Sequence, residues 1–157
     1  MPDGVLAALL KREHHEIDSG IATFIDNLDV GCVKPGLSST SLDALRRHIY
    51  LEETFLFPPI REAGMIMPIG VMMREHGELW RTTGALTDLL VDRADYEQLR
   101  DISHRLQGQL EQHTSKEEPI IYPHADSDLP AQVSAEIARF IAFGRTPDGW
   151  VCRQAGR

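Results

Sequence analysis

The sequence contains little cysteine, little positive charge and no long apolar run. It has two cysteines, Cys32 and Cys152, in 157 residues, which excludes a disulfide framework and a thiolate metal cluster. Its net charge of −8, from 16 basic and 24 acidic residues, argues against a nucleic-acid backbone or an anionic membrane surface as a partner. No apolar stretch approaches the roughly 20 residues of a membrane span. The first residues, Met1 to Gly4, carry no export signal, so we expect a cytoplasmic protein.

Helical periodicity covers most of the chain. Apolar residues recur at three- and four-residue steps, a spacing that is typical of amphipathic helices. No segment of comparable strength alternates with a period of two, so we do not expect a sheet. The sequence predicts an all-α protein, an antiparallel (up-down) four-helix bundle with a short C-terminal fifth helix, over residues 1–145, followed by an irregular tail over 146–157. The predicted helices cover about residues 3–29, 41–63, 68–92, 95–121 and 130–143.

Proline, glycine and serine mark the expected ends of these helices. Residues 29–40 are predicted to form a loop, and the hydroxyl residues 39–41 are candidate N-caps of the second helix. Pro58 and Pro59 are expected to kink or end that helix. Residues 123–128 are predicted to form a turn.

Histidines and glutamates interrupt the apolar stripe near the middle of each long helix. Residues four apart on a helix lie only about 40° apart around its axis. His48 with Glu52, and His113 with Glu117, can therefore each present an imidazole and a carboxylate to one ion. Burial of such groups without compensation would be prohibitive, and a bound metal removes that cost. The candidate metal ligands are His14, His48, Glu52, His76, His113 and Glu117.

The two halves of the chain also resemble each other. Residues 48–58 have the pattern HxxxEExxxFP and residues 113–123 have HxxxEExxxYP, while an EH pair begins both 13–17 and 75–79. In an antiparallel bundle, a two-helix unit that occurs twice gives a site with approximate two-fold symmetry. Two equivalent ion positions, with two carboxylates free to bridge them, are the expected result.

The H…HxxxEE…FP and EH…HxxxEE…P pattern resembles the hemerythrin-like (HHE cation-binding) domain family over roughly residues 5–125. The resemblance implies a left-handed four-helix bundle around two non-haem iron ions, with terminal imidazoles, bridging glutamates and an oxo or hydroxo bridge. The six candidate residues would be the ligands. Oxygen carriers of this family have a further histidine one turn along the third helix, where this chain has Trp80 and Met72, and their last carboxylate follows its histidine at i+5. This chain therefore resembles the four-histidine, two-glutamate branch, in which more coordination positions are open to small ligands.

Residues beside the candidate ligands allow more than one role. Glu53 and Glu118 could hydrogen-bond a ligand histidine, replace the adjacent glutamate as a ligand, or lie at the edge of the bundle. Phe55, Met72 and Trp80 lie about one turn from the ligands and are expected to line the pocket and keep it dry.

The remaining histidines and two tyrosines are expected outside the site. His15 is the alternative to His14, but it lacks the alignment with the second half of the chain, so we place it at the edge or surface. His104 and His124 are predicted to be solvated or structural. Tyr50 and Tyr122 fall opposite their histidines on ideal helices, so a phenolate ligand would require the prolines or a π-bulge to rotate the chain.

Imidazole and carboxylate ligands without thiolate suit iron, manganese or zinc, whereas calcium and magnesium prefer all-oxygen sites. The family resemblance favours two iron ions over manganese or zinc. It predicts a small diatomic ligand or peroxide as the partner and three possible functions. The protein could bind or respond to O₂, NO or peroxide in a redox or nitrosative stress response. It could instead be an enzyme that decomposes peroxide or reduces NO, or a module that stores, donates or senses iron.

Overall fold

A computed structural model describes residues 4–33 and 35–156 of the chain, and over these residues the only regular secondary structure is helical. The all-α prediction is confirmed. A π-helical segment, Glu52–Leu56, joins the second helix to the third, and a short break at Ile121 separates the fifth from the sixth. The helices are α1 (Val5–Asp29), α2 (Pro35–Leu51), α3 (Phe57–Glu62), α4 (Ile66–Val91), α5 (Tyr96–Ile120), α6 (Tyr122–Ser127) and α7 (Ala131–Phe143).

The four long helices form a closed bundle. Helix α1 packs against α2 and α5, and α4 packs against α5 and α2. The short helix α6 covers one end through contacts with α1 and α5, while α7 packs against α1 and the π segment. Among the described residues, none of these helices combines the length and apolar content of a membrane span.

The core is divided into two apolar clusters with a polar layer between them. One cluster lies toward the end covered by α6 and α7 and includes Leu10, Leu56, Ile69, Tyr122 and Ile137. The other lies toward the opposite end and includes Ile21, Leu42, Leu86, Leu106 and Cys152. On α1 and α4 the buried histidine lies between residues of the two clusters, and on α5 the buried histidine and glutamate lie between Leu110 of one cluster and Ile121 of the other. The layer is therefore shielded from water by apolar packing on both sides.

Helix α2 begins earlier than the sequence predicts. Its first residue is Pro35, so the expected loop over 29–40 is wrong in its second half, and residues 39–41 are helical rather than caps. A tertiary contact explains the extension, because Ser41 is buried against α1 where a Cβ on Gly20 would lie 2.0 Å from the Ser41 hydroxyl. This close approach of two small residues holds a serine-rich, weakly helical segment in the helix.

Both copies of the repeated pattern, residues 48–58 and 113–123, end in proline, and in neither copy does the proline produce a turn. Pro58 and Pro59 lie in the first turn of α3, and the wider π turn before them accommodates rings that would clash with carbonyls of a regular helix. Pro123 likewise lies in the first turn of α6. The predicted turn over 123–128 is therefore wrong, since most of it is helical.

The tail beyond α7 has no regular secondary structure over 144–156, and it packs against the bundle. Trp150 contacts Trp80 edge-on with ring centroids 5.3 Å apart, and it contacts Tyr50 at 5.0 Å. The Arg81 guanidinium donates to the carbonyl of Gln154 at 2.9 Å. These contacts bring the tail to the outer face of α4.

Candidate metal centre

The six residues predicted as ligands meet in the polar layer. They form two groups, and in each group one ligand atom per residue lies within 4.8 Å of all the others. The first group contains His14 and His48, the second contains His76 and His113, and both contain the same two carboxylates, Glu52 and Glu117. The two glutamates therefore lie between two pairs of histidines.

Each shared carboxylate lies between histidines of different groups. Glu52 Oε1 is 3.1 Å from His48 Nε2 and 3.3 Å from His76 Nε2. Glu117 Oε1 is 3.1 Å from His14 Nε2 and 3.4 Å from His113 Nε2. Ligand atoms held at about 2.1 Å from one ion lie about 3 Å apart at neighbouring coordination positions. The spacing therefore suits carboxylates that connect two ion positions.

Four further glutamates orient the imidazoles. The Nδ1–H of each histidine donates to a carboxylate on another element, over distances of 2.8–3.0 Å. A carboxylate accepts but does not donate when ionised, so Nδ1 carries a proton and Nε2 faces inward, where its lone pair is available to an ion when the imidazole is neutral. The pairs are His14 with Glu118, His48 with Glu13, His76 with Glu53 and His113 with Glu75.

These pairs form a ring around the bundle, in which each helix supplies a carboxylate to a histidine of the next helix. Helix α5 supplies the carboxylate for α1, and α1 supplies the one for α2. The π segment supplies the carboxylate for α4, and α4 supplies the one for α5. Of the three roles left open for Glu53 and Glu118, both accept a hydrogen bond from a histidine in this structure, and the sequence reasoning missed Glu13 and Glu75. The signal was present in the repeated EH pair, which places one glutamate directly before a ligand histidine in each half.

Several inward-facing atoms have no hydrogen-bond partner among the described residues. They are Glu52 Oε1, both carboxylate oxygens of Glu117, and Nε2 of His76 and His113. His76 Nε2 lies 3.3 Å from Glu52 Oε1 and His113 Nε2 lies 3.4 Å from Glu117 Oε1, but the geometry is not that of hydrogen bonds. Buried polar atoms are normally paired, so converging unpaired lone pairs are what a cation site requires. The residues present therefore fit a bound metal.

The electrostatics of the layer also favour positive charge. Burial would lower the pKa of His113, but the charge of Glu117 and hydrogen bonds to Glu117 and Glu75 raise that pKa to about 10. Burial would likewise lower the pKa of His48, yet Glu52 and Glu13 raise it well above its usual range. For the carboxylates, burial would raise the pKa of Glu117, but His113 and His14 hold it well below its usual range. The site binds protons or metal cations in competition.

The polar layer encloses a cavity of about 10 Å³, roughly the space for one water molecule. Besides the ligand histidines and Glu52, its lining residues are Ile17, Asp18, Leu45, Ile49, Leu79 and Leu110. Such a cavity has room for a group of about the size of an ion or a water molecule, and it excludes larger molecules.

The three aromatic and thioether side chains expected in the pocket lie elsewhere, so that prediction is wrong. Phe55 packs on Tyr50 and Phe140 at the outer end, because the π segment rotates it away from the direction it would have in a regular helix. Met72 belongs to the apolar cluster near α6 and α7. Trp80 faces Trp150 of the tail. The neighbouring Leu79 lines the cavity instead.

Tyr122 was expected outside the site, but its side chain lies at the centre. It is fully buried, and its hydroxyl lies 2.8 Å from His14 Nε2, 3.1 Å from His48 Nε2 and 3.0 Å from Glu52 Oε2. The break at Ile121 between α5 and α6 changes the helical phase, so the angle derived from one continuous helix does not apply.

The other histidines lie outside the centre, as predicted. His15 and His104 are exposed, and His124 is half-buried and pairs with Asp128 four residues later in the chain. Tyr50 contacts Phe140 and Trp150 and does not reach the centre. Of the adjacent histidines on α1, His14 is thus the one that faces inward.

An all-α bundle whose central layer holds two groups of buried histidines joined by two shared glutamates defines a protein with a cation-binding centre. The chain matches the family model of the hemerythrin HHE cation-binding domain over residues 5–125, and it belongs to that family. No curated protein and no solved structure matches the chain.

Proposed function

We propose that this protein is a non-haem di-iron protein that binds or reacts with O₂, NO or peroxide and thereby takes part in a redox or nitrosative stress response or in its sensing. The observation that carries the proposal is the pair of histidine groups that share Glu52 and Glu117. In this proposal His14 and His48 hold one ion, His76 and His113 hold the other, and the two glutamates bridge them.

The donor set supports iron. Imidazole and carboxylate ligands without sulfur suit iron, manganese and zinc, and carboxylate-bridged pairs of ions in helix bundles are typically iron or manganese. Membership of the hemerythrin family favours iron among these. Iron bound here would supply redox chemistry and open coordination positions for a small ligand.

The residues around the centre select the ligand by size and polarity. The apolar wall formed by Ile17, Leu45 and Ile49 keeps the cavity dry, and the small cavity excludes organic substrates. The four carboxylates on the Nδ1 atoms hold the imidazoles in one tautomer and one orientation. The Tyr122 hydroxyl donates to Glu52 Oε2 and so places a phenol oxygen beside the centre. These features favour diatomic ligands or peroxide.

Metal content and the optical spectrum of the purified protein test the proposal. After iron-replete expression we expect two iron ions per chain and a visible charge-transfer band that changes on exposure to O₂, NO or peroxide. A His113→Ala/Glu117→Ala double variant should lose metal from both groups. The matched control, His104→Ala, removes an exposed histidine from the same helix and should keep full metal content.

The same measurements separate the alternatives. Multiple turnovers of peroxide or NO per centre would indicate an enzyme. Iron that passes readily to a chelator or acceptor, with no spectral response to gas ligands, would indicate storage, donation or iron sensing. Substoichiometric metal in the wild type, or full metal content in the double variant, would contradict the metal centre itself.

A further inference from the structure

The two halves of the centre differ at one pair of corresponding positions. The repeated pattern aligns Tyr122 with Phe57. The Tyr122 ring stacks on His14 with centroids 5.2 Å apart and an interplanar angle of 24°, and the Phe57 ring stacks on His76 at 5.2 Å and 23°. The two rings therefore occupy equivalent places, and only one of them carries a hydroxyl.

The hydroxyl of Tyr122 lies where a ligand atom would lie. Its contacts at 2.8, 3.1 and 3.0 Å join it to Nε2 of His14, Nε2 of His48 and Oε2 of Glu52. About 3 Å is the separation of neighbouring ligand atoms around one ion at about 2.1 Å. The first group of ligands thus contains a third kind of donor atom, a phenol oxygen, at the spacing of the imidazole nitrogens and carboxylate oxygens.

Once the histidines are neutral, as ion binding requires, hydrogen bonding alone does not account for these contacts. Glu118 and Glu13 then hold the remaining protons of His14 and His48 on Nδ1, so both Nε2 atoms face Tyr122 with lone pairs. Glu52 also faces it with a lone pair. A phenol has one proton to donate, so it satisfies one of the three acceptors. A cation among these atoms would satisfy all of them.

We propose that Tyr122 is a metal ligand of the ion position formed by His14 and His48, and that the two ion positions are chemically inequivalent because Phe57 stands at the matching place in the other half. The inference rests on the proposed metal centre. The phenol proton leaves to solvent when the ion binds, and the remaining oxygen lone pair forms the bond to the ion. One position then has a phenolate oxygen that the other lacks.

Spectroscopy of the ferric protein tests this assignment without measuring activity. We expect a visible phenolate-to-iron charge-transfer band, and resonance Raman spectra excited in that band should show the ring modes of a coordinated tyrosinate. Mössbauer spectra should show two distinct iron sites of equal area. Tyr122→Phe should abolish the tyrosinate modes and bring the two iron sites closer in their parameters.

The other two tyrosines provide matched controls. Tyr50 packs against Trp150 and Phe140, and the Tyr96 hydroxyl contacts Asp29 at the surface. Tyr50→Phe and Tyr96→Phe should keep the tyrosinate modes. If Tyr122→Phe does not fold, the wild-type spectrum still decides, since absence of tyrosinate modes there would overturn the inference.

Metal content distinguishes the failure of this inference from the failure of the proposed function. Two ions per chain without tyrosinate modes, or modes that persist in Tyr122→Phe, would overturn the role of Tyr122 and leave the metal centre intact. A protein that binds no metal after iron-replete expression would overturn both.

Discussion

At the scale of single residues, the centre depends on glutamates that do not belong to the predicted ligand set. Glu75 accepts from His113 Nδ1 at 3.0 Å and also pairs with Lys116. Its negative charge makes the imidazole a more basic ligand and fixes the ring orientation. Partners of this kind contribute to metal binding although they do not touch the ion.

A charge-neutral replacement of Glu75 measures this contribution. Glu75→Gln retains an oxygen that can accept from His113 Nδ1 but removes the charge, so we expect iron affinity to fall about 10- to 100-fold. The fold should persist because the side chain keeps its size. Competition with a chelator of known affinity would measure the change.

Glu78 provides the control for that experiment. It lies one turn further along α4 and is exposed, so Glu78→Gln changes the net charge equally without touching the centre. Equal affinities of Glu75→Gln, Glu78→Gln and the wild type would show that the Glu75 carboxylate does not act on His113.

At the scale of elements, the C-terminal tail packs closely against α4 at Gly77. A Cβ on Gly77 would lie 2.5 Å from the backbone oxygen of Gln154, and a backbone atom cannot move aside cheaply. The docked tail places the Cys152 thiol 3.3 Å from Glu53 Oε2, and the Arg153 N–H donates to Glu53 Oε1 at 3.1 Å. The tail therefore supports the carboxylate that orients His76.

Gly77→Ala should release the tail and expose Cys152. The thiol is 3% exposed, and burial together with the charge of Glu53 raises its pKa to about 12. Both effects slow its reaction with a disulfide reagent. In a Cys32→Ser background we expect Gly77→Ala to accelerate that reaction about tenfold or more. A loss of about 1.4 kcal/mol in the local stability of the tail raises the equilibrium constant for its opening tenfold.

Gly84→Ala is the matched control on the same helix. An added Cβ at Gly84 meets no atom within 4 Å, so this variant should leave the thiol protected and, as a glycine-to-alanine change in a helix, should not weaken α4. Unchanged thiol reactivity in Gly77→Ala would mean that the tail tolerates the extra methyl group and is not held by this contact.

The same elements show how far the sequence predicts this structure. Stripes of apolar residues are local signals, so the four long helices and the inward direction of His14 follow from them. The start of α2 depends on a contact between Ser41 and Gly20, which lie on different helices. The inward position of the Tyr122 side chain depends on a break in helical phase at Ile121. Glu13 reaches a histidine on another helix, and helical periodicity carries no information about such a partner.

At the scale of the whole molecule, the polar layer divides an otherwise apolar core. Within the part of the chain that the structure describes, twelve polar or charged side chains are buried, and the histidine and glutamate members of this set meet between the two apolar clusters. Burial of such groups is costly unless their charges are balanced. In the metal-free protein, the balance comes from imidazolium groups paired with carboxylates, as the raised pKa values of the histidines indicate.

This balance predicts how the stability of the metal-free protein depends on pH. His113 has a pKa of about 10 in the folded state and about 6.5 when unfolded. Its contribution is therefore fully present below about pH 6.5 and is lost as pH rises toward 10. We expect the free energy of unfolding to fall by an amount on the order of kilocalories per mole over this window. Denaturant titrations of the chelator-treated protein at several pH values would measure it.

Two comparisons, one between variants and one between metal-loaded and metal-free protein, identify the groups that cause this pH dependence. His113→Gln should flatten the pH dependence, whereas His15→Gln removes an exposed histidine and should leave it unchanged. In the metal-loaded protein the cations replace the protons, so the loss of stability above pH 6.5 should be reduced and the difference between loaded and metal-free protein should widen as pH rises. A metal-free protein whose stability stays constant or increases between pH 6.5 and 10 would show that the buried histidines are neutral, and that neighbouring carboxylates do not hold protons on them.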